Sequence, residues 1–141
     1  MISERRYRLI DKIAGWAVFI IAMLTYMLTL EPTVSYWDCG EYVAQAAMLE
    51  VGHPPGNPIF MLAGRVFCNF ASDVTQLALM VNTMSGVLSA LTILLLYWTI
   101  TMLVSRFCKK ESGYSLASVI AIVGSGVVGS LAYTWSDTFW F

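Results

Sequence analysis

Charge is scarce in this sequence. Its 141 residues include 8 Lys and Arg, 9 Asp and Glu and a single His. Charged residues make up 12% of the chain, against roughly 25% in a soluble domain. That is too few to cover a water-facing surface. The net charge of −1 leaves no broad basic field, so nucleic acid is not an expected partner. Cysteine is sparse too. Cys39, Cys68 and Cys108 lie far apart without C-x-x-C spacing, which argues against a zinc site or a redox pair. They read as packing thiols, and a Cys39–Cys68 disulfide stays open if both face an oxidising compartment. No repeat, linker or low-complexity tract is present. All 4 prolines fall within one segment between residues 31 and 75.

Apolar residues fill the space that charge leaves: 58% of the chain is hydrophobic, with a mean hydropathy of +0.70. The surplus apolar surface must face lipid. The first hydrophobic run covers residues 13–30, a helix of about 27 Å, close to the hydrocarbon thickness of a bilayer. Arg5, Arg6, Arg8 and Lys12 precede it. This run is long for a signal peptide, and Leu28-Thr29-Leu30 offers no cleavage site of the A-x-A kind, so it reads as an uncleaved span. The second run, 77–104, is long enough to cross with tilt, and Asp73 and Gln76 ahead of it have capping-box spacing. The third, 116–135, carries Gly124, Gly126 and Gly129, which allow close helix packing. Between the first two spans, residues 40–50 and 58–70 form two short helical pieces. The first has Asp38 as N-cap and Gly52 as C-cap, and the second opens on Asn57 and Pro58. The second piece is apolar but reaches only about 20 Å, so it is expected to lie at the membrane edge. The fold class is therefore an all-α membrane protein with three transmembrane helices and two short juxtamembrane helices.

Four of the eight cations precede the first span, and Arg106, Lys109 and Lys110 lie between the second and third. Only Arg65 lies between the first and second. The positive-inside rule places the N-terminus and the 106–115 loop in the cytoplasm, and residues 31–75 outside.

That outward segment concentrates the chemistry-bearing residues. It holds the only His, His53, and the acids Asp38 and Glu41 directly after Tyr36 and Trp37. A connection this long between two spans is more than a helical hairpin needs. Each candidate also has a plain structural reading. Asp38 and Glu41 have the spacing of a capping box, Tyr36 and Trp37 suit the headgroup belt, and His53 suits a turn before Pro54. Arg65 has the reach to snorkel, and Asp137 lies in an aromatic girdle after the third span. The chain ends there without a polar tail, which suggests the N-terminal portion of a longer protein.

Several stretches carry a resemblance: Thr33-Val-Ser-Tyr-Trp-Asp-Cys-Gly-Glu-Tyr, Leu49-Glu-Val-Gly-His-Pro-Pro-Gly-Asn-Pro, Met61-Leu-Ala-Gly-Arg, and the ending Leu131-Ala-Tyr-Thr-Trp-Ser-Asp-Thr-Phe-Trp-Phe. Together they resemble the DUF2723 family, bacterial membrane proteins similar to protein O-mannosyltransferases within the GT-C glycosyltransferase superfamily. The resemblance covers essentially the whole chain, 1–141, as the N-terminal portion of a GT-C-like transmembrane domain. It implies an enzyme of the bacterial inner membrane that takes a sugar from a polyprenyl-phosphate carrier. It also implies a catalytic Asp in the first outward loop, where Asp38 stands. The acceptor it implies is a hydroxyl, Ser or Thr of an exported protein. Glu41, His53, Arg65 and Asp137 become candidate substrate-binding residues. The resemblance fixes no cofactor, and a carboxylate pair can hold a divalent cation.

A single displacement with Asp38 as base would invert the anomeric carbon, and Arg65 and His53 are the groups here that can meet the departing phosphate. Full members of the resembled family are several times longer, so this portion alone is not expected to be active. Two other classes compete. A secondary transporter fragment would use acids and His as proton relays, but no acid or His falls within the spans as delimited above. A small membrane assembly protein without catalysis has only the glycine-rich third span in its favour.

Overall fold

The computed structural model describes residues 2–35, 37–52, 56–108 and 113–136. Its elements are helices: α1 (Glu4–Leu28), α2 (Cys39–Met48), α3 (Pro58–Cys68), a single 3-10 turn (Val74–Gln76), α4 (Leu77–Cys108) and α5 (Leu116–Thr134). No strand forms among the described residues. Three helices, Glu4–Leu28, Val74–Cys108 and Leu116–Thr134, are long and apolar enough to cross a membrane. The expected all-α architecture of three spans with two short helices between the first two is therefore observed.

Some boundaries differ from expectation, for local reasons. The helix α1 begins at Glu4, well before residue 13. The basic residues ahead of the apolar run are good helix formers, and Arg8 closes an i,i+4 ion pair with Glu4 at 2.6 Å. This brings Asp11 inside α1, whereas the first span as read from hydropathy excluded it. At the end of α2 the left-handed cap is Leu49 (φ 56°), not Gly52, with Glu50 N donating to Gln45 O at 3.0 Å. Gly52 serves a different purpose: a Cβ there would collide with the Gln45 amide, so the backbone passes the helix only because no side chain is present.

The chain divides into two compact units, Met1–Thr25 with Ser89–Phe141, and Tyr26–Leu88. In the first, Tyr97 and Ile122 are fully buried, and Val18 nearly so. Tyr97 donates to Asp11 Oδ1 at 3.2 Å, which satisfies the phenol in an apolar setting. The helices α4 and α5 approach closely at Gly126, where a Cβ would sit 2.6 Å from Thr101 Cγ2. The buried Ser130 and Thr134 hydroxyls bond back to Gly126 O at 2.6 Å and Ser130 O at 2.9 Å. A lipid-embedded helix must satisfy its polar groups in this internal way. Ile2 and Tyr114 exchange backbone bonds of 2.9 and 3.2 Å, and the Tyr7 and Tyr114 rings stack at 4.3 Å.

In the second unit α2 and α3 pack side by side over the start of α4 and run in the same direction, Tyr42 meeting Asn57 and Phe60, Ala46 meeting Gly64 and Ala47 meeting Arg65. Its core is Val43, Ala46, Met61, Cys68, Ala78, Val81 and Met84. The Tyr42 and Phe60 rings meet edge to face at 5.7 Å. A Cβ on Gly64 would lie 2.8 Å from Ala46 Cβ, so this glycine sets the closeness of the pair. Asn82 of α4 donates to Glu31 O at 2.8 Å and Thr33 O at 3.1 Å, which ties down the strand of chain leading towards α2.

Candidate functional site

The connection between α1 and α4 is built around Asp38. It occupies the N-cap position of α2, and Tyr42 N donates to Asp38 O at 2.9 Å to start the helix. Its side chain, however, accepts no capping bond. A capping side chain needs extended backbone at the N-cap to aim its oxygen at the next amides. Asp38 has φ −78° and ψ 5° instead, and the residue before it, Trp37, lies in the left-handed region (φ 58°). The carboxylate is exposed, with no hydrogen-bond or ion-pair partner among the described residues. The capping-box reading of Asp38 and Glu41 is thus not what forms. Glu41 accepts instead from the buried Gln45 Nε2 one turn along α2.

Trp37 is 97% exposed and packs on nothing that would force its conformation. A bulky non-glycine residue with positive φ is an outlier, and such strain collects at functional sites. No sequence signal marks it, since backbone conformation at one residue is not written in residue type.

Arg65 is exposed on α3, and its Nη1 donates to Ala47 O in the last turn of α2. It satisfies one of the orphan carbonyls at that helix end and sets a cation where the helix dipole is negative. Ala47 lies about 14 Å along α2 from Asp38. The structure therefore docks Arg65 at the opposite end of α2 from Asp38. Asn57 caps no amide; its Nδ2 donates to Tyr42 Oη at 3.1 Å, a second tie between the two short helices. Pro58 opens α3 as expected. Asp73 accepts from Val74 N at 2.5 Å and Gln76 accepts from Ser72 N at 3.1 Å, so both side chains cap amides at the 3-10 turn, although not in the reciprocal Asp73–Gln76 pairing of a capping box. His53 and Asp137, and also Tyr36, lie outside the described residues.

Cys39, Cys68 and Cys108 are free thiols. Cys68 is buried, and burial pushes its thiol above the usual range, against a smaller downward pull from Arg65. No three His, Cys, Asp or Glu side chains come together among the described residues. Residues that sequence reasoning missed are Gln45, Asn82 and the Gly64–Ala46 contact. Asn82 and the Gly64–Ala46 contact hold α2 in place through pairings distant in sequence, for which a single sequence carries no signal, whereas Gln45 is buried and bonds Glu41 one turn back.

These features define a class, a multi-pass helical membrane protein whose first inter-span connection is a packed pair of short helices presenting an acid. Residues 38–141 match the family profile described as "Protein O-mannosyl-transferase TMEM260 N-terminal domain", and the chain belongs to that family. It is similar to Protein O-mannosyl-transferase tmem260 of Dictyostelium discoideum, 30% identical over 99 residues, which are 69% of this chain and 12% of that protein. It is also similar to Protein O-mannosyl-transferase TMEM260 of Mus musculus, 31% identical over 120 residues, 84% of this chain and 15% of that protein. The chain thus spans only about an eighth to a seventh of those relatives. No solved structure matches it at a significant level.

Proposed function

We propose that the chain is the N-terminal, site-bearing portion of a glycosyltransferase that moves a sugar from a polyprenyl-phosphate carrier to a Ser or Thr hydroxyl of an exported protein. The relatives' names point to mannose as the sugar. The proposed setting is a bacterial inner membrane with the N-terminus in the cytoplasm, a reading supported by the resemblance and by the cation distribution.

The observation that carries the reading is Asp38. It is an exposed carboxylate at a helix start, attached to a packed helix pair, and its side chain makes no capping bond. A group kept for chemistry needs such a setting: a fixed backbone and an unengaged oxygen pair. In the reaction the acceptor oxygen attacks the anomeric carbon as the carbon–oxygen bond to the carrier phosphate breaks. Asp38 takes the hydroxyl proton, the phosphate leaves with the bonding electrons, and the configuration inverts. The carbon passes through an oxocarbenium-like state. Glu41, bonded by Gln45 one turn along α2, remains a substrate-binding candidate beside Asp38. Arg65 has guanidinium donors beyond the one used on Ala47, and with His53 and Asp137 it remains a substrate-binding candidate.

The transporter alternative gains little from Asp11. That acid lies near the cationic end of α1, beside Lys12 and bonded by Tyr97, rather than midway along the span.

The test uses the full-length protein with Asp38→Asn. Normal insertion with transfer reduced about 10²-fold or more is expected. Near-normal transfer by a well-inserted Asp38→Asn variant would remove Asp38 as the base.

A further inference from the structure

The N-terminal part of α1 has two faces of opposite character. Tyr7, Val18 and Ala22 are buried, and Asp11 beside them is held by Tyr97. The other face carries Arg5, Leu9, Lys12, Ile13, Trp16 and Ile20, which fall within about 100° of one another on a helical wheel. Leu9 is 59% exposed, Ile13 61%, Trp16 45% and Ile20 53%. Arg5, Arg6, Arg8, Leu9 and Lys12, with Ser3, line an open recess of about 770 Å³. Arg8 is engaged by Glu4. Arg5, Arg6 and Lys12 make no hydrogen bond or ion pair among the described residues.

The dimensions of this face match one membrane leaflet. Arg5 to Lys12 covers about 10 Å along the axis, comparable to the headgroup layer. Leu9 to Ile20 covers about 17 Å, close to half the hydrocarbon thickness of about 30 Å. Cations above an exposed apolar row of one leaflet's length fit a ligand that is anionic at one end and hydrocarbon along the rest. A nucleic acid or an acidic peptide would meet the cations and leave the row unused.

We propose that this face of α1 binds an anionic phospholipid, with its phosphate among Arg5, Arg6 and Lys12 and its acyl chains along Leu9, Ile13, Trp16 and Ile20. Unpaired juxtamembrane cations attract anionic headgroups, and the apolar row gives the chains a fixed bed. The site lies in whichever leaflet holds the N-terminus, and it does not depend on the catalytic reading.

The experiment reconstitutes the full chain in nanodiscs of equal phosphatidylglycerol and phosphatidylcholine. Native mass spectrometry then counts the lipids that remain bound. Retention of phosphatidylglycerol over phosphatidylcholine is expected. Arg5→Gln with Lys12→Gln should lower that preference about twenty-five-fold, about fivefold for each cation. Arg6 and Arg8 remain to direct insertion, and thiol labelling of Cys108 verifies that topology is unchanged. Equal retention of the two lipids by the wild type would overturn the proposal. So would an unchanged preference in the double variant. Equal competition by glycerol phosphate, which lacks acyl chains, would overturn it in favour of a soluble-anion site.

Discussion

Gly64 offers the sharpest handle on how the α2–α3 pair positions Asp38. A Cβ at residue 64 would stand 2.8 Å from Ala46 Cβ, whereas carbon atoms settle at about 3.5–4.0 Å. Gly64→Ala must therefore push α2 and α3 apart by about 1 Å. Ala is a better helix former than Gly by about 1 kcal/mol, but overpacking a core costs about 1–3 kcal/mol. The net is a loss of about 0–2 kcal/mol. Ala46→Gly alone loses about 1 kcal/mol of propensity and about 0.8 kcal/mol of burial. Combining the two returns one Ala and one Gly to the crossing, with their places exchanged. The double variant should recover most of the stability, with a coupling of about 1–3 kcal/mol. Activity should follow more steeply, because Asp38 starts the helix that moves, and a 1 Å misplacement costs about 10²-fold. Thermal unfolding in detergent and glycosyl transfer by the full-length protein measure the two effects. If Gly64→Ala is as stable and active as wild type, or if Ala46→Gly fails to rescue it, the close crossing does not position the site.

Trp37→Gly should raise stability by up to about 1.5 kcal/mol, since it releases about 1–2 kcal/mol of left-handed strain against about 0.5–1 kcal/mol of chain entropy. Transfer should fall at the same time, and a destabilised Trp37→Gly would show that the conformation is unstrained. Arg65→Gln should cost about 1 kcal/mol by freeing Ala47 O and should raise the KM for the lipid-linked donor. An unchanged donor KM would leave Arg65 as a clamp between helices. In intact cells a membrane-impermeant maleimide should label half-buried Cys39. Cys68 should react only after unfolding, because it is buried and its raised pKa keeps the reactive thiolate scarce until the pH is well above that of an ordinary thiol. Cys108 should react only after permeabilisation, and labelling from outside would reverse the assigned orientation.

The sequence by itself determined the membrane class, the three spans and the two short helices. Hydrophobic runs of bilayer length and the Pro58 start are local properties, readable wherever solvent and backbone geometry act on one stretch at a time. The family resemblance was likewise legible, because motifs such as Trp37-Asp38-Cys39-Gly40-Glu41 are contiguous. The tertiary structure decided what those residues do. Asp38 and Glu41 have the spacing of a capping box, yet the Asp38 backbone is not extended and its side chain makes no capping bond, and Glu41 pairs with Gln45. Arg65 is the only cation between the first two spans, yet it is docked on the end of α2 rather than beside Asp38. Asn82 and Gly64 show no pattern along the chain, yet one anchors the approach to α2 and the other sets its distance from α3. The physical reason is the same in each case. A side chain's partner is chosen by which groups three-dimensional packing brings within about 3 Å, and residue order constrains that choice only across one or two helical turns.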